Sequence, residues 1–235
     1  DKTGSSVEEI LQHDGYTNAK RLTACWRDEL TQNANWPDRQ STTEAWPQPA
    51  IEHGLLDDGT GWLWSRSANI KAEEYFDRAV KAWKPDLPPD AKEQKESWEW
   101  LSRAAHLIQD ITLPSHTVSL VYLSQMMFHD AFEYNVDDLF DTYLPSHNYD
   151  GGMWEGKGPY PPDGVWIAYW GTKRPGEIVE QIANQVRPLY VLMEHDEDHK
   201  NGNWQKLQAL VVPLAAKNCA GMIVAFLEQV GVDPK

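Results

Sequence analysis

The helical spacing of apolar residues is the feature that most constrains the fold of this 235-residue chain. Several long segments repeat apolar residues at the three- and four-residue intervals that line one face of an α-helix. Stretches in which β-branched and aromatic residues alternate with polar ones, as strands require, are few. With 41% hydrophobic residues, the chain can bury a substantial core. The sequence therefore predicts an all-α, compact multi-helix domain that spans residues 1–235.

Start and stop signals place the helices along the chain. Asp90 is the predicted N-cap of the helix that ends near Ile111. The predicted helical segments are two short helices within 7–30, the second over 17–30, then 67–84, 87–111, 128–144, 175–195 and 203–230. Residues 31–64 and 146–174 are dense in Gly, Pro and Trp, and this composition predicts two long irregular loops.

The formal net charge of −15 limits the partners that the chain can have. An acidic surface repels phosphate backbones and anionic membranes, so no stable nucleic-acid partner is expected. No stretch approaches the length of a membrane-spanning helix, so no transmembrane segment is expected. The two cysteines, Cys25 and Cys219, can form a disulfide, a buried thiol pair or neither. They are too few for a thiolate zinc site, so any metal ligands must be His, Asp and Glu.

The segment HLIQDITLPSH, residues 106–116, places metal-ligating residue types at a helix end. His106 and Asp110 are one helical turn apart and share a face, nearly opposite the apolar stripe. Pro114 interrupts the helical pattern, and His116 follows it directly. Taken alone, the pair fits a solvated polar face better than a metal site.

A second pair, His129 and Glu133, shares a helix face with the apolar residues Phe132, Val136 and Phe140. An imidazole and a carboxylate on a buried stripe carry a large desolvation cost unless they bond to each other or to a metal. Both explanations are open for this pair in isolation.

The combination of the two pairs favours a metal centre. Two helical i, i+4 pairs bracket a lone histidine after a proline, and all five residues can converge: His106, Asp110, His116, His129 and Glu133. Imidazole and carboxylate are ligands that zinc accepts when thiolates are absent. Clustered zinc ions activate water and neutralise phosphoryl oxygens during in-line displacement.

The stretches RAAHLIQDITLPSHT and FHDAFEYNVDD resemble the zinc-dependent phospholipase C family, which is related to the fungal zinc-dependent single-strand nucleases. The resemblance implies a compact helical fold and a cluster of two or three zinc ions that hydrolyses phosphate esters. It also implies that His106 and Asp110 bind one zinc ion, with Asp110 bridging to a second. A further ion would be bound by His116, His129 and Glu133.

The resemblance extends to the loop NWPDRQ…AIEHGLLDD, which supplies Asp38 and His53. His53 would complete the first zinc site, and Asp38 would bind zinc or act as the general base for the attacking water. Asp28 and Glu44 are the alternative carboxylates. The family begins with an N-terminal helix and a zinc-ligating amino group, for which this chain has no counterpart, so that helix is absent or the third metal site is lost. His13 is a possible substitute, although an exposed histidine is the better interpretation.

The expected function is a zinc-dependent phosphodiester hydrolase of phospholipase C type that acts on a phospholipid or another phosphate ester. Glu133 as the last ligand favours the lipase branch of the resemblance. The alternatives are a single-strand nuclease or 3′-nucleotidase and a catalytically inactive zinc-binding relative. We expect a monomer that is secreted or periplasmic, with the signal peptide lying outside this chain.

Overall fold

The structure is a computed structural model that describes residues 2–34, 55, 67–118, 167–193 and 203–235. The α-helices are α1 Lys2–His13, α2 Thr17–Cys25, α3 Arg27–Ala34, α4 Ala68–Ala82, α5 Lys95–Ile111, α6 Pro175–Val186 and α7 Asn203–Gln229. Short 3₁₀ helices cover Lys92–Gln94, Pro114–Thr117 and Arg187–Leu192. Over these ranges no strand is present, and the all-α prediction is confirmed.

Helix α7 carries an aromatic centre of the core. Phe226, which is fully buried, meets the rings of Phe76, Trp83 and Trp98 at centroid distances of 6.2, 5.6 and 5.7 Å. All three contacts are edge-to-face, an arrangement that aromatic rings favour over face-to-face stacking. Trp98 also stacks on Trp26 at 6.1 Å. These rings join α4, α5 and α7 with the residue that follows α2.

The segment Leu210–Gln229 of α7 is long and apolar enough to cross a membrane by length and composition, with a mean hydropathy of 1.9. It is the single such helix in the described ranges. The sequence-based statement that no stretch approaches that length is therefore wrong for this helix. However, 78% of the segment is buried inside the protein. A core helix passes the same test of length and composition, so the segment is weak evidence for a membrane span.

Helices α4 and α5 pack against each other through polar as well as apolar contacts. The Gln94 side chain donates to the carbonyl of Lys84 at 2.8 Å and accepts from its N–H at 3.0 Å. The buried Ser97 hydroxyl donates to the carbonyl of Ala79 at 2.7 Å. These bonds satisfy backbone groups that the end of α4 and the following turn would otherwise leave unpaired. They fix the helix that carries His106 against its neighbour.

Several predicted boundaries move. Asp90 is not the N-cap of the long helix, because the 3₁₀ turn Lys92–Gln94 precedes α5 and Asp90 pairs with Arg21 at 3.0 Å. The predicted helix 17–30 is divided at Trp26 into α2 and α3, and the predicted helix 175–195 ends as an α-helix at Val186. The predicted helix 203–230 is confirmed as α7. The predicted helix 128–144 lies outside the described residues.

Gly221 permits the close approach of another segment to α7. A Cβ atom at this position would lie 2.0 Å from the carbonyl oxygen of Ala168 and 2.8 Å from Nε1 of Trp170. The Ala168 N–H donates to the carbonyl of Lys217 one helical turn earlier, at 3.2 Å. Trp170 is buried at this contact. The absence of a side chain therefore lets the segment before α6 pack directly on the core helix.

Candidate metal site

Helix α5 brings His106 and Asp110 together on one face. Nε2 of His106 lies 3.0 Å from Oδ2 of Asp110, the separation expected for an i, i+4 ion pair. The side chains are 7% and 13% exposed, respectively. The sequence left a solvated polar face open for this pair, and that interpretation is wrong. Both donors lie in the interior, on the opposite side of α5 from the buried Leu101 and Ile108.

The chain turns immediately after the pair. The N–H groups of Thr112 and Leu113 donate to the carbonyls of Gln109 and Asp110, which closes the last turn of α5. Pro114 then begins a short 3₁₀ helix, where the fixed φ of proline is favourable. These bonds place His116 in the interior just beyond the helix end.

His116 is held in this turn by its own backbone. Its N–H donates to the carbonyl of Leu113 at 3.0 Å, and the residue is 3% exposed. The hydroxyl of the adjacent Thr117 donates to the carbonyl of Pro114 at 2.7 Å. The turn therefore buries a third candidate ligand within one short segment of chain, as the position of Pro114 in the sequence indicated.

Leu55 joins this turn to a distant part of the sequence. Its N–H donates to the carbonyl of His116 at 2.9 Å, and the residue is 4% exposed. Arg187, at the end of α6, donates from Nη2 to the Leu55 carbonyl at 3.1 Å and from Nε to the Thr117 carbonyl at 2.9 Å. Leu55 follows the candidate ligand His53 by two residues.

Two arginines, Arg103 of α5 and Arg78 of α4, lie against the ring of Trp100 on α5. Cζ of Arg103 is 4.1 Å from the centroid of the Trp100 ring, and Cζ of Arg78 is 4.6 Å from the same centroid. Burial lowers the pKa of Arg103 from its usual value. The guanidinium of Arg103 stacks on a residue one turn earlier in the helix, toward the N-terminus and away from Asp110. The guanidinium of Arg103 therefore packs on the Trp100 ring.

The structure describes three of the seven candidate site residues. Asp38, His53, His129 and Glu133 lie outside the described residues, and so does the alternative carboxylate Glu44. Within the described part of the chain, no three His, Cys, Asp or Glu side chains are grouped so that they can hold a metal ion. Each ligand set that the resemblance implies draws on residues outside that part. These sets accordingly stay predictions.

The described donors fit a zinc ion in chemistry and spacing. Two atoms that bind one tetrahedral zinc ion at about 2.1 Å are about 3.4 Å apart. The observed 3.0 Å between His106 Nε2 and Asp110 Oδ2 lies within a small side-chain rotation of that distance. Burying a carboxylate and an imidazole is costly unless these groups have strong partners, and a zinc ion would be such a partner.

The weaker candidates lie on the surface. Asp28 is exposed on α3, and His13 is exposed with Nδ1 2.8 Å from Oδ1 of Asp14.

Cys25 and Cys219 are both free cysteines, the first exposed and the second buried. The disulfide that the sequence left open is therefore not formed. Burial raises the pKa of the Cys219 thiol to about 12, although the side chain of Gln109 acts in the opposite direction.

Arg187 and Leu55 are the residues of this region that sequence reasoning missed. Arg187 acts on backbone carbonyls, and such contacts leave no spacing or residue-type pattern in a sequence. The one available signal was Pro188, because a proline at this point ends the α-helical hydrogen bonding of α6 and so opens a turn. The prediction of one helix over 175–195 did not take Pro188 into account.

No protein-family model matches this sequence, and no curated protein matches it by sequence. Among solved structures, alpha toxin from Clostridium absonum matches with a TM-score of 0.72 and 16% sequence identity over 98% of this chain and 64% of that chain. The alpha-toxin of Clostridium perfringens from avian strain SWCP matches with a TM-score of 0.65 and 15% identity over 97% and 62%. The chain has the fold of the clostridial alpha-toxins.

At 15–16% identity the likeness to the alpha-toxins concerns the fold, because one fold serves many activities. It confirms the expected compact all-α architecture and supports the resemblance drawn from the motifs at that level. The chain spans 64% and 62% of the lengths of the two toxins. The activity, substrate and location of the chain are accordingly proposals.

Proposed function

We propose that this chain is a zinc-dependent phosphodiester hydrolase of the phospholipase C type. The observation that carries the proposal is the buried His106–Asp110 pair, followed directly by the buried His116 at a proline turn. A buried imidazole and carboxylate at the end of a helix are costly to retain for stability alone, since apolar residues fill such positions at lower cost. The fold of the alpha-toxins supports the same conclusion.

The ligand sets are those that the resemblance implies, and the burial of His106, Asp110 and His116 supports them. His106, Asp110 and His53 would hold the first zinc ion, and Asp110 would also contribute to a second. The remaining ligands are His116, His129 and Glu133.

The bound zinc ions supply a lowered water pKa, near 7, and positive charge against the phosphate oxygens. The carboxylate of Asp38 is proposed to accept the proton of the attacking water. The buried surroundings of His106 and His116 exclude bulk water, which strengthens every charge interaction inside the site. The acidic chain, with its net charge of −15, repels polyanions and favours a zwitterionic phospholipid over nucleic acid.

The test uses the zinc-loaded chain and a short-chain phosphatidylcholine, with release of phosphocholine as the readout. The proposal expects hydrolysis that a chelator abolishes and that zinc restores. His106→Ala should abolish it, whereas His13→Ala, which removes an exposed histidine paired with Asp14, should not. Single-stranded DNA and 3′-nucleotides are assayed in parallel.

Each outcome of the test has one interpretation. Cleavage of DNA or nucleotides in preference to lipid would replace the lipase with the nuclease alternative. Stoichiometric zinc without turnover of any substrate would identify a catalytically inactive zinc-binding relative. The secreted or periplasmic location and the monomeric state rest on the resemblance and belong to the same proposal.

A further inference from the structure

The guanidinium of Arg187 joins three segments of chain. Nε donates to the carbonyl of Thr117 at 2.9 Å, Nη2 to the carbonyl of Leu55 at 3.1 Å, and Nη1 to Oδ1 of Asn184 at 2.9 Å. Two of these acceptors are backbone oxygens from parts of the sequence that are 62 residues apart (117 − 55). Only the planar fork of arginine holds two such acceptors in fixed directions.

The two segments are also bonded directly. Leu55 donates its N–H to the carbonyl of His116 at 2.9 Å, while its own carbonyl accepts from Arg187. The carbonyl of Thr117, the next residue, accepts from the same guanidinium. Leu55 and Thr117 are 4% and 1% exposed, so these backbone groups depend on internal partners. Charged donors make the strongest of such bonds.

We propose that Arg187 is a positioning residue of the metal site: it fixes the turn that carries His116 through the carbonyls of Thr117 and Leu55. This inference rests on the proposed function, because it needs His116 to be a zinc ligand. Groups that orient metal ligands without touching the metal determine how far the site is formed before the ion binds. Arg187 acts through these backbone carbonyls and is not itself one of the proposed zinc ligands.

The test measures zinc affinity of the full 235-residue chain by competition with a chelator, for Arg187→Gln and Arg187→Lys. Loss of a group that supports metal ligands typically weakens metal binding by about 10- to 100-fold. Both variants should show a loss in this range, because glutamine lacks the charge and lysine lacks the fork. Helical content of the zinc-free chain, by circular dichroism, reports separately on folding.

The matched control is Arg174→Gln, at the other end of α6. Arg174 donates from Nε to Glu73 at 3.0 Å and from Nη2 to Asp77, so it also joins its helix to another element. The two arginines are thirteen positions apart in the sequence, which corresponds to about 20 Å along a helix. This variant should change the stability of the chain and leave its zinc affinity unchanged.

The outcomes separate this inference from the proposed function. If wild type and His106→Ala bind zinc equally, the metal site itself is wrong. If His106→Ala loses zinc while both Arg187 variants bind like wild type, only the positioning role fails. A loss of zinc binding that merely parallels a loss of helical content in the Arg187 variants also overturns it, because Arg187 would then act on folding alone.

Discussion

Replacing Asp110 with asparagine distinguishes a zinc ligand from a buried ion pair. In the wild type, Oδ2 of Asp110 lies 3.0 Å from Nε2 of His106. The asparagine amide keeps the shape of the side chain and an oxygen near His106. In the absence of zinc, the change removes the negative charge that lies 3.0 Å from Nε2 of His106, which alters the free energy of unfolding by about 1 kcal/mol. In the presence of zinc, it also removes an anionic ligand.

We predict that zinc stabilises Asp110→Asn less than it stabilises the wild type. At a free zinc concentration 1,000 times the dissociation constant, a single bound ion stabilises the wild type by about 4.1 kcal/mol. A 10- to 100-fold weaker site in Asp110→Asn reduces this gain to between about 2.7 and 1.4 kcal/mol at the same zinc concentration. Urea unfolding followed by tryptophan fluorescence, with zinc and with chelator, measures both gains.

The control for this experiment is Asp77→Asn, the same chemical change in a surface carboxylate that pairs with Arg174 and is 62% exposed. It should keep the full zinc-dependent gain. If Asp110→Asn gains as much stability from zinc as wild type does, the pair is a structural ion pair, and the reasoning that places a metal at α5 is refuted.

Three further predictions concern the rest of the fold. A thiol reagent at pH 8 should modify one cysteine of the folded chain, the exposed Cys25, because Cys219 is buried with a pKa of about 12; rapid modification of both would contradict the packing. The raised pKa of Cys219 contributes stability that is fully present below the ordinary thiol pKa of 9.0 and is lost as the pH rises toward 12, so alkaline urea midpoints should fall less in Cys219→Ala. Gly221→Ala should lower the thermal midpoint and change the tryptophan fluorescence, since its Cβ would lie 2.0 Å from the Ala168 carbonyl and 2.8 Å from Trp170; an unchanged midpoint would show that the segment moves freely.

The sequence predicted the helices because spacing and local stop signals determine them. The segment from Pro175 onward was extended too far because Pro188 permits a 3₁₀ turn in place of an α-helix. Asp90 was misassigned as a cap because its carboxylate has a partner, Arg21, that is distant in sequence. Local propensity contains no information about such a partner.

The candidate site was predictable to the extent that it lies on one helix. The i, i+4 rule brought His106 and Asp110 together, and Pro114 located the turn that holds His116. The burial of the pair was not readable from α5 alone, since a polar face opposite the apolar stripe is ordinarily solvated. Arg187 was not readable either, because its acceptors are backbone carbonyls.

Anomalous diffraction at the zinc edge, from crystals of the zinc-loaded chain, shows directly whether α5 binds zinc. We expect one ion within about 2.2 Å of both His106 Nε2 and Asp110 Oδ2, and another at His116. A map at saturating zinc that contains no ion at α5, with the His106–Asp110 contact still at 3.0 Å, would show that the pair does not bind zinc.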